Sequence, residues 1–198
     1  MTHRSLPRRL VIHATSVALA AAGALLPARA WAAGPVMPRL PVARTLPAAD
    51  WVDVTDDPSG ITFKLPARPT VTRTSKPDCR MYAAASAATS ETVSVCDIPG
   101  TDKVDYLYST ADGALDAFRK KAGNDVDSGT QETEVEGRPA LDLHASGKND
   151  PPQRLLFTAR YIADDPYSVS ALSFAYAKNE KALDQEHRQL LDSLHLPP

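Results

Sequence analysis

Two cysteines, three histidines beyond residue 32 and a run of alternating glutamates are the residues of this 198-residue chain whose types and spacing could do chemistry. Cys79 and Cys96 are the only cysteines. In an exported chain such a pair forms a disulfide, and without a Cys-x-x-Cys spacing it has no redox signature. His144, His187 and His195 fall in neither an H-E-x-x-H motif nor a cysteine–histidine cluster, so no zinc site is predicted. Asp125-Val126-Asp127 through Glu136 imitates the spacing of a calcium loop. Its sixth position, however, is Thr130 where such a loop turns on glycine, and Glu132 to Glu136 reads as strand. There is no G-x-S-x-G elbow, S-x-x-K, phosphate-binding glycine loop or dinucleotide fingerprint. His187, between Glu186 and Arg188, reads as an exposed helix residue rather than as part of a Ser/His/Asp set. No catalytic, cofactor-binding or metal-binding residue is predicted, and no cofactor.

The compartment is written at the start of the chain. Arg4, Arg8 and Arg9 precede an apolar run from Leu10 to Leu26, followed by A-x-A spacings at Ala28/Ala30 and Ala30/Ala32. This is the layout of a signal peptide over residues 1–32. The run holds His13, Thr15, Ser16 and Gly23 and ends at Pro27, which makes it a poor membrane span, and no cysteine stands by to carry a lipid. Arg8-Arg9 suits twin-arginine export as well as an ordinary basic leader. The expected location is therefore periplasmic or extracellular, with no stable membrane anchor. Cleavage removes four of 22 basic residues and none of 24 acidic ones, leaving a net charge of −6. Such a chain repels phosphate backbones, so nucleic-acid binding is not expected. Residues 33–49 carry Pro35, Pro38, Pro41 and Pro47 and read as an extended linker. Residues 50–198 are left as a single domain, its core edge covered by Trp51.

Within that domain, extended runs outnumber helices. Trp51 to Val54 and Ile61 to Leu65 flank the turn residues Asp56-Asp57-Pro58-Ser59-Gly60 and form a hairpin. Thr70 to Thr74 is a further strand. Cys79 to Ala85 and Glu91 to Ile98 make a second hairpin around Ser86 to Thr89; with Ala87 and Ala88 at its tip, Cys79 faces Cys96. A helix is predicted over 110–122, started by Ser109 or Thr110 and ended by Gly123, with Leu115, Phe118 and Ala122 inward and Tyr106 and Tyr108 just before it. A three-residue loop at Gly137-Arg138-Pro139 sets Val135 against Leu141, Glu134 against Asp142 and Glu132 against His144. In that register Glu132, Glu134, Glu136 and Asp142 form an acidic ridge with His144 beside it: the candidate face for a cationic protein partner, or else a solvated strand surface. Strands at Leu155 to Tyr161 and Tyr167 to Phe174, a helix over 179–192 and a closing Leu194-His195-Leu196 complete the chain. The fold class is α+β, an antiparallel β-sheet with helices packed on its faces.

The order of these pieces carries a resemblance. Gly60-Ile61-x-Phe63-x-Leu65-Pro66 with Pro69, a central helix, Gly137-Arg138-Pro139-Ala140 between strands, and a late helix ending in Asp192-Ser193-Leu194-His195-Leu196 together resemble the PsbP-like superfamily. The chain resembles in particular its exported bacterial members of unknown function, similar to DcrB-type envelope proteins. The superfamily also includes an extrinsic photosystem II subunit and a nuclear-transport factor that binds a small GTPase. The resemblance implies action by binding and brings no catalytic motif to carry over. The expected function is an exported, non-catalytic binding or accessory module of the cell envelope or secreted fraction. The alternatives are a structural or stress-related envelope protein, or a hydrolase of unfamiliar type.

Overall fold

Trp51 does cover a core edge, at the start of a hairpin made by β1 (Val52–Asp56) and β2 (Ile61–Leu65), which pair Val52 with Leu65 and Asp56 with Ile61. The computed structural model describes residues 51–75, 77–100, 102–123, 125–148 and 153–198; the signal-peptide and linker readings over 1–32 and 33–49 lie outside them. Seven further strands follow: β3 (Thr70–Ser75), β4 (Asp78–Ala85), β5 (Thr89–Asp97), β6 (Val126–Val135), β7 (Arg138–Lys148), β8 (Arg154–Asp164) and β9 (Tyr167–Tyr176). They form one sheet in the order β3-β4-β5-β9-β8-β7-β6, every neighbour antiparallel. The fold is α+β, as the alternation of the strands implied.

Helix α1 (Lys103–Ala122) lies on one face of this sheet, and α2 (Glu180–Asp192) with the β1–β2 hairpin lies on the other. The α1 stripe is Leu107, Ala111, Ala114, Phe118 and Ala122, a helical spacing that packs on Leu141, Leu143, Phe157, Ala159 and Tyr161. Phe118 stacks on Phe157 at 5.7 Å between ring centroids, and Phe157 on Phe174 at 4.5 Å. The helix begins earlier than its pattern predicts, because Asp102 caps it by accepting from the Asp105 N–H. Tyr106 and Tyr108 therefore sit within its first two turns, not before it. Its last turn lies against β7 at Gly147, where a Cβ would stand 2.8 Å from the Ala122 Cβ.

On the opposite face Leu183 and Leu190 seat α2, and Leu194 and Leu196 continue the apolar contact past its end. The tail pairs with the hairpin, His195 N–H donating to Thr62 O at 2.8 Å and Thr62 N–H to His195 O at 3.1 Å. Ser193 Oγ accepts from the Lys64 N–H at 2.9 Å. The closing Leu194-His195-Leu196 is thus a one-bridge extension of the small sheet.

Candidate functional site

The acidic strand and its neighbours came from one hairpin, and the structure changes its register. The turn is Glu136-Gly137, both at positive φ (50° and 78°), so Val135 opposes Arg138 in a two-residue connection. Glu132 now faces Leu141 and Glu134 faces Pro139, while Asp142 opposes Gln131 and His144 opposes Gly129. Directly opposed residues share a face. Glu132 and Glu134 therefore lie on the α1 side of the sheet, and Asp142 and His144 lie on the α2 side, so the single predicted ridge is two separate surfaces. Residues 126–135, including most of the calcium-loop imitation, are extended strand, whose side chains alternate between the faces.

The α1-side surface runs along an exposed edge. β6 is the last strand of the sheet, and Glu132, Glu134 and Glu136 are exposed. α1 joins them: the Tyr108 hydroxyl donates to Glu132 Oε1, an interaction that raises the phenol's pKa. Val104 stands one turn earlier at 49% exposed, with Tyr108 at 38%. An apolar, aromatic strip on α1 thus borders a row of carboxylates on β6.

On the α2 side a belt of polar groups crosses four strands. Arg160 grips Asp142 with two hydrogen bonds, 2.7 and 2.8 Å. One residue pair further along, His144 Nδ1 and Thr158 Oγ1 share a hydrogen bond of 2.9 Å. Beyond them Ser173 Oγ touches both Glu91 Oε2 and His187 Nδ1, the latter at 2.7 Å. Glu91 and Ser173 are fully buried and His187 nearly so. His187 is therefore not an exposed helix residue. Its flanking charges suggested solvent, but its spacing from Leu183 and Leu190 places it on the inward stripe of α2. Glu91 was legible in the same way, two residues before Val93 and four before Val95 on a strand whose alternate residues face the core. Burial is the main cause that pushes the Glu91 carboxyl up to about 7, and burial again brings His187 down to about 4.

A third cluster holds the hairpin to the sheet. Arg80 of β4 donates to Asp56 Oδ1 at 2.6 Å, to Asp56 Oδ2 at 3.1 Å and to Asp97 Oδ1 at 3.0 Å. Tyr82 donates to the same Asp56 at 2.7 Å and Ser59 at 2.5 Å. Burial alone would raise the Asp56 pKa, but these donors outweigh it and hold the carboxyl below its ordinary value. Burial and Asp56 push the Tyr82 phenol up to about 12. Next to this cluster, on the other side of the sheet, Cys79 and Cys96 are opposed and joined as a disulfide, packed with Ile98 and Tyr106. The register predicted for that hairpin is the observed one.

No family model and no curated protein matches the sequence. Solved structures do. Cyanobacterial PsbP (CyanoP) of Synechocystis sp. PCC 6803 aligns over 80% of this chain and 99% of its own, at 12% identity and a TM-score of 0.50. The fold is PsbP-like. LpqN of Mycobacterium tuberculosis, described as involved in cell envelope biogenesis, aligns over 75% of this chain and 91% of its own (14% identity, TM-score 0.46). Protein PA94 of Pseudomonas aeruginosa, of unknown function, aligns over 67% and 99% (12% identity, TM-score 0.43). At these identities the likeness concerns the PsbP-like fold alone. Of the motifs that carried the resemblance, Gly60-Ile61-x-Phe63-x-Leu65 and Leu194-His195-Leu196 build the hairpin and its tail, and Gly137-Arg138-Pro139-Ala140 builds the turn into β7 and its start.

Proposed function

We propose that the protein is an exported, non-catalytic binding or accessory module of the cell envelope or secreted fraction, and that its β6 edge engages a cationic protein partner. The observation that carries this reading is the joint surface of Glu132, Glu134 and Glu136 with Tyr108 and Val104, which offers carboxylates beside exposed apolar area on a chain whose net charge becomes −6 once residues 1–32 are removed. Export is supported by the leader-like first 32 residues and by the Cys79–Cys96 disulfide. Among the described residues no helix is long and apolar enough to cross a membrane. The non-catalytic part is supported by the state of Ser173, the hydroxyl nearest to a Ser/His/acid arrangement: it is fully buried beneath α2 and engaged by both neighbours, with no approach for a substrate.

A defined probe tests the surface. A lysine- and arginine-rich peptide is expected to bind the mature protein with an affinity that falls as salt rises. Replacing Glu132, Glu134 and Glu136 together by lysine should weaken it about tenfold or more. The same change should leave thermal stability within about 0.5 kcal/mol per substitution, since all three side chains are exposed. Equal binding by the two proteins would remove this edge from consideration and favour the structural role in the envelope. Turnover by the purified mature chain in a hydrolase panel would instead establish the enzymatic alternative.

A further inference from the structure

The buried trio under α2 plays no part in that surface, and its composition is unusual: a carboxyl, a hydroxyl and an imidazole in series, sealed between sheet and helix. Ser173 Oγ, with one proton and two lone pairs, lies between Glu91 Oε2 and His187 Nδ1. The other carboxyl oxygen, Glu91 Oε1, is buried and has no hydrogen-bond partner among the described residues. An ionised carboxylate would leave that oxygen's charge unmet. Glu186, next to His187 on α2, adds a second carboxylate nearby, held by the hydroxyls of Thr89 at 2.6 Å and Ser86 at 3.2 Å. Arg160 and Asp142, already paired with each other, and His144 with Thr158 face the imidazole from β8 and β7. On the β4 side Glu91 is flanked by Ala84.

We propose that Glu91, Ser173 and His187 form a one-proton clasp that keeps α2 seated on the sheet with constant strength across the mildly acidic range. In the fold the proton sits on Glu91, which donates to Ser173, which donates to Nδ1 of a neutral His187. In the unfolded chain the same proton sits on the imidazole, and the carboxyl is ionised. Folding moves the proton from one residue to the other without net uptake or release, so linkage gives no slope between about pH 4.5 and 6.5. The two groups taken singly slope in opposite directions. The buried carboxyl, raised to about 7, contributes stability that is fully present below its unfolded pKa and is lost as pH rises. The buried imidazole, lowered to about 4, contributes stability that is present above its unfolded pKa and is lost as pH falls. For an exported protein the cancellation secures the α2 face against changes in the surrounding medium.

The test is denaturant unfolding from pH 4 to 8, read against the double variant Glu91→Gln/His187→Gln to cancel all other titrations. The wild-type difference should stay level from pH 4.5 to 6.5. Across those two units Glu91→Gln alone should lose about fortyfold in its folding constant as pH falls, and His187→Gln about as much as pH rises. Parallel curves for the two single variants would overturn the clasp. A titration of the wild-type protein by carbon-13 NMR needs no variant to fold. It should find the His187 ring neutral at pH 5.5 and the Glu91 carboxyl protonated; a cationic ring at that pH contradicts the proposal.

Discussion

Arg80→Met should lower the stability of the mature protein at pH 7 by about 3–5 kcal/mol, the largest effect expected of any single substitution outside the apolar core. The reason lies in what the change leaves behind. Asp56 is completely buried, and its carboxylate takes two of its charge-assisted hydrogen bonds from Arg80. Removing the guanidinium leaves a carboxylate out of water with the hydroxyls of Tyr82 and Ser59 and the Ser59 N–H, the last at 3.3 Å, to meet it. The β1–β2 hairpin also loses one of its two side-chain ties to β4, that of Tyr82 remaining, and the contact of the guanidinium with the Tyr167 ring, 5.9 Å from its centroid, is lost as well. The pH dependence supplies a sign. In the wild-type protein the Asp56 pKa is depressed, so its stabilising contribution is present above the unfolded value near 3.8 and lost as pH falls below that value through the lower folded pKa. In the variant burial raises that pKa, and acid relieves the penalty. The stability gap should therefore narrow between pH 7 and pH 4, and Asp56→Asn should restore part of it in the Arg80→Met background. Urea unfolding at both pH values measures this; a constant gap, or one under about 1 kcal/mol, contradicts the role assigned to Arg80.

Opening the Cys79–Cys96 disulfide should cost about 3 kcal/mol, the chain-entropy value for a loop closed over a separation of 17 residues. Both half-cystines sit inside an existing ladder, between strands β4 and β5, so the native hairpin keeps its hydrogen bonds when the bond is removed. The loss falls on the unfolded chain, which regains freedom. Cys79→Ala/Cys96→Ala should therefore unfold at a temperature about 6–12 °C lower while retaining the wild-type circular dichroism spectrum. Intact mass should rise only when the wild-type protein is reduced and alkylated under denaturing conditions, since Cys79 is fully buried and Cys96 nearly so. A melting temperature unchanged by reduction would show that the bond contributes nothing to stability.

The two hairpins explain why one register was legible and the other was not. Between β4 and β5 both strands are internal, alternation of Tyr82, Val93 and Val95 fixes which residues face the core, and a loop of small residues sets the pairing. Between β6 and β7 one strand is an edge with both faces largely exposed, so matching Val135 to Leu141 by apolar character had nothing to enforce it. Glu136 at positive φ added a turn that its side chain does not advertise. The acidic edge thus survived as a feature while its companions Asp142 and His144 moved to the opposite face. For α1 the half-buried Tyr106 and the exposed Tyr108 obscured the first two turns, although Leu107, Ala111, Ala114 and Phe118 carry the stripe and Asp102 the cap. The buried trio was missed because Glu91, Ser173 and His187 lie on three separate elements, which only the packing of α2 onto β5 and β9 brings together.

The measurement closest to the central claim is capture of envelope and culture-fluid proteins from the source organism on oxidised residues 33–198, run beside the Glu132/Glu134/Glu136 lysine variant and quantified by mass spectrometry. The expected result is a cationic protein that binds saturably to the wild-type chain, is released by salt and is absent from the variant. Recovery of the same proteins on both, or of none on either, contradicts a binding module that works through its acidic edge.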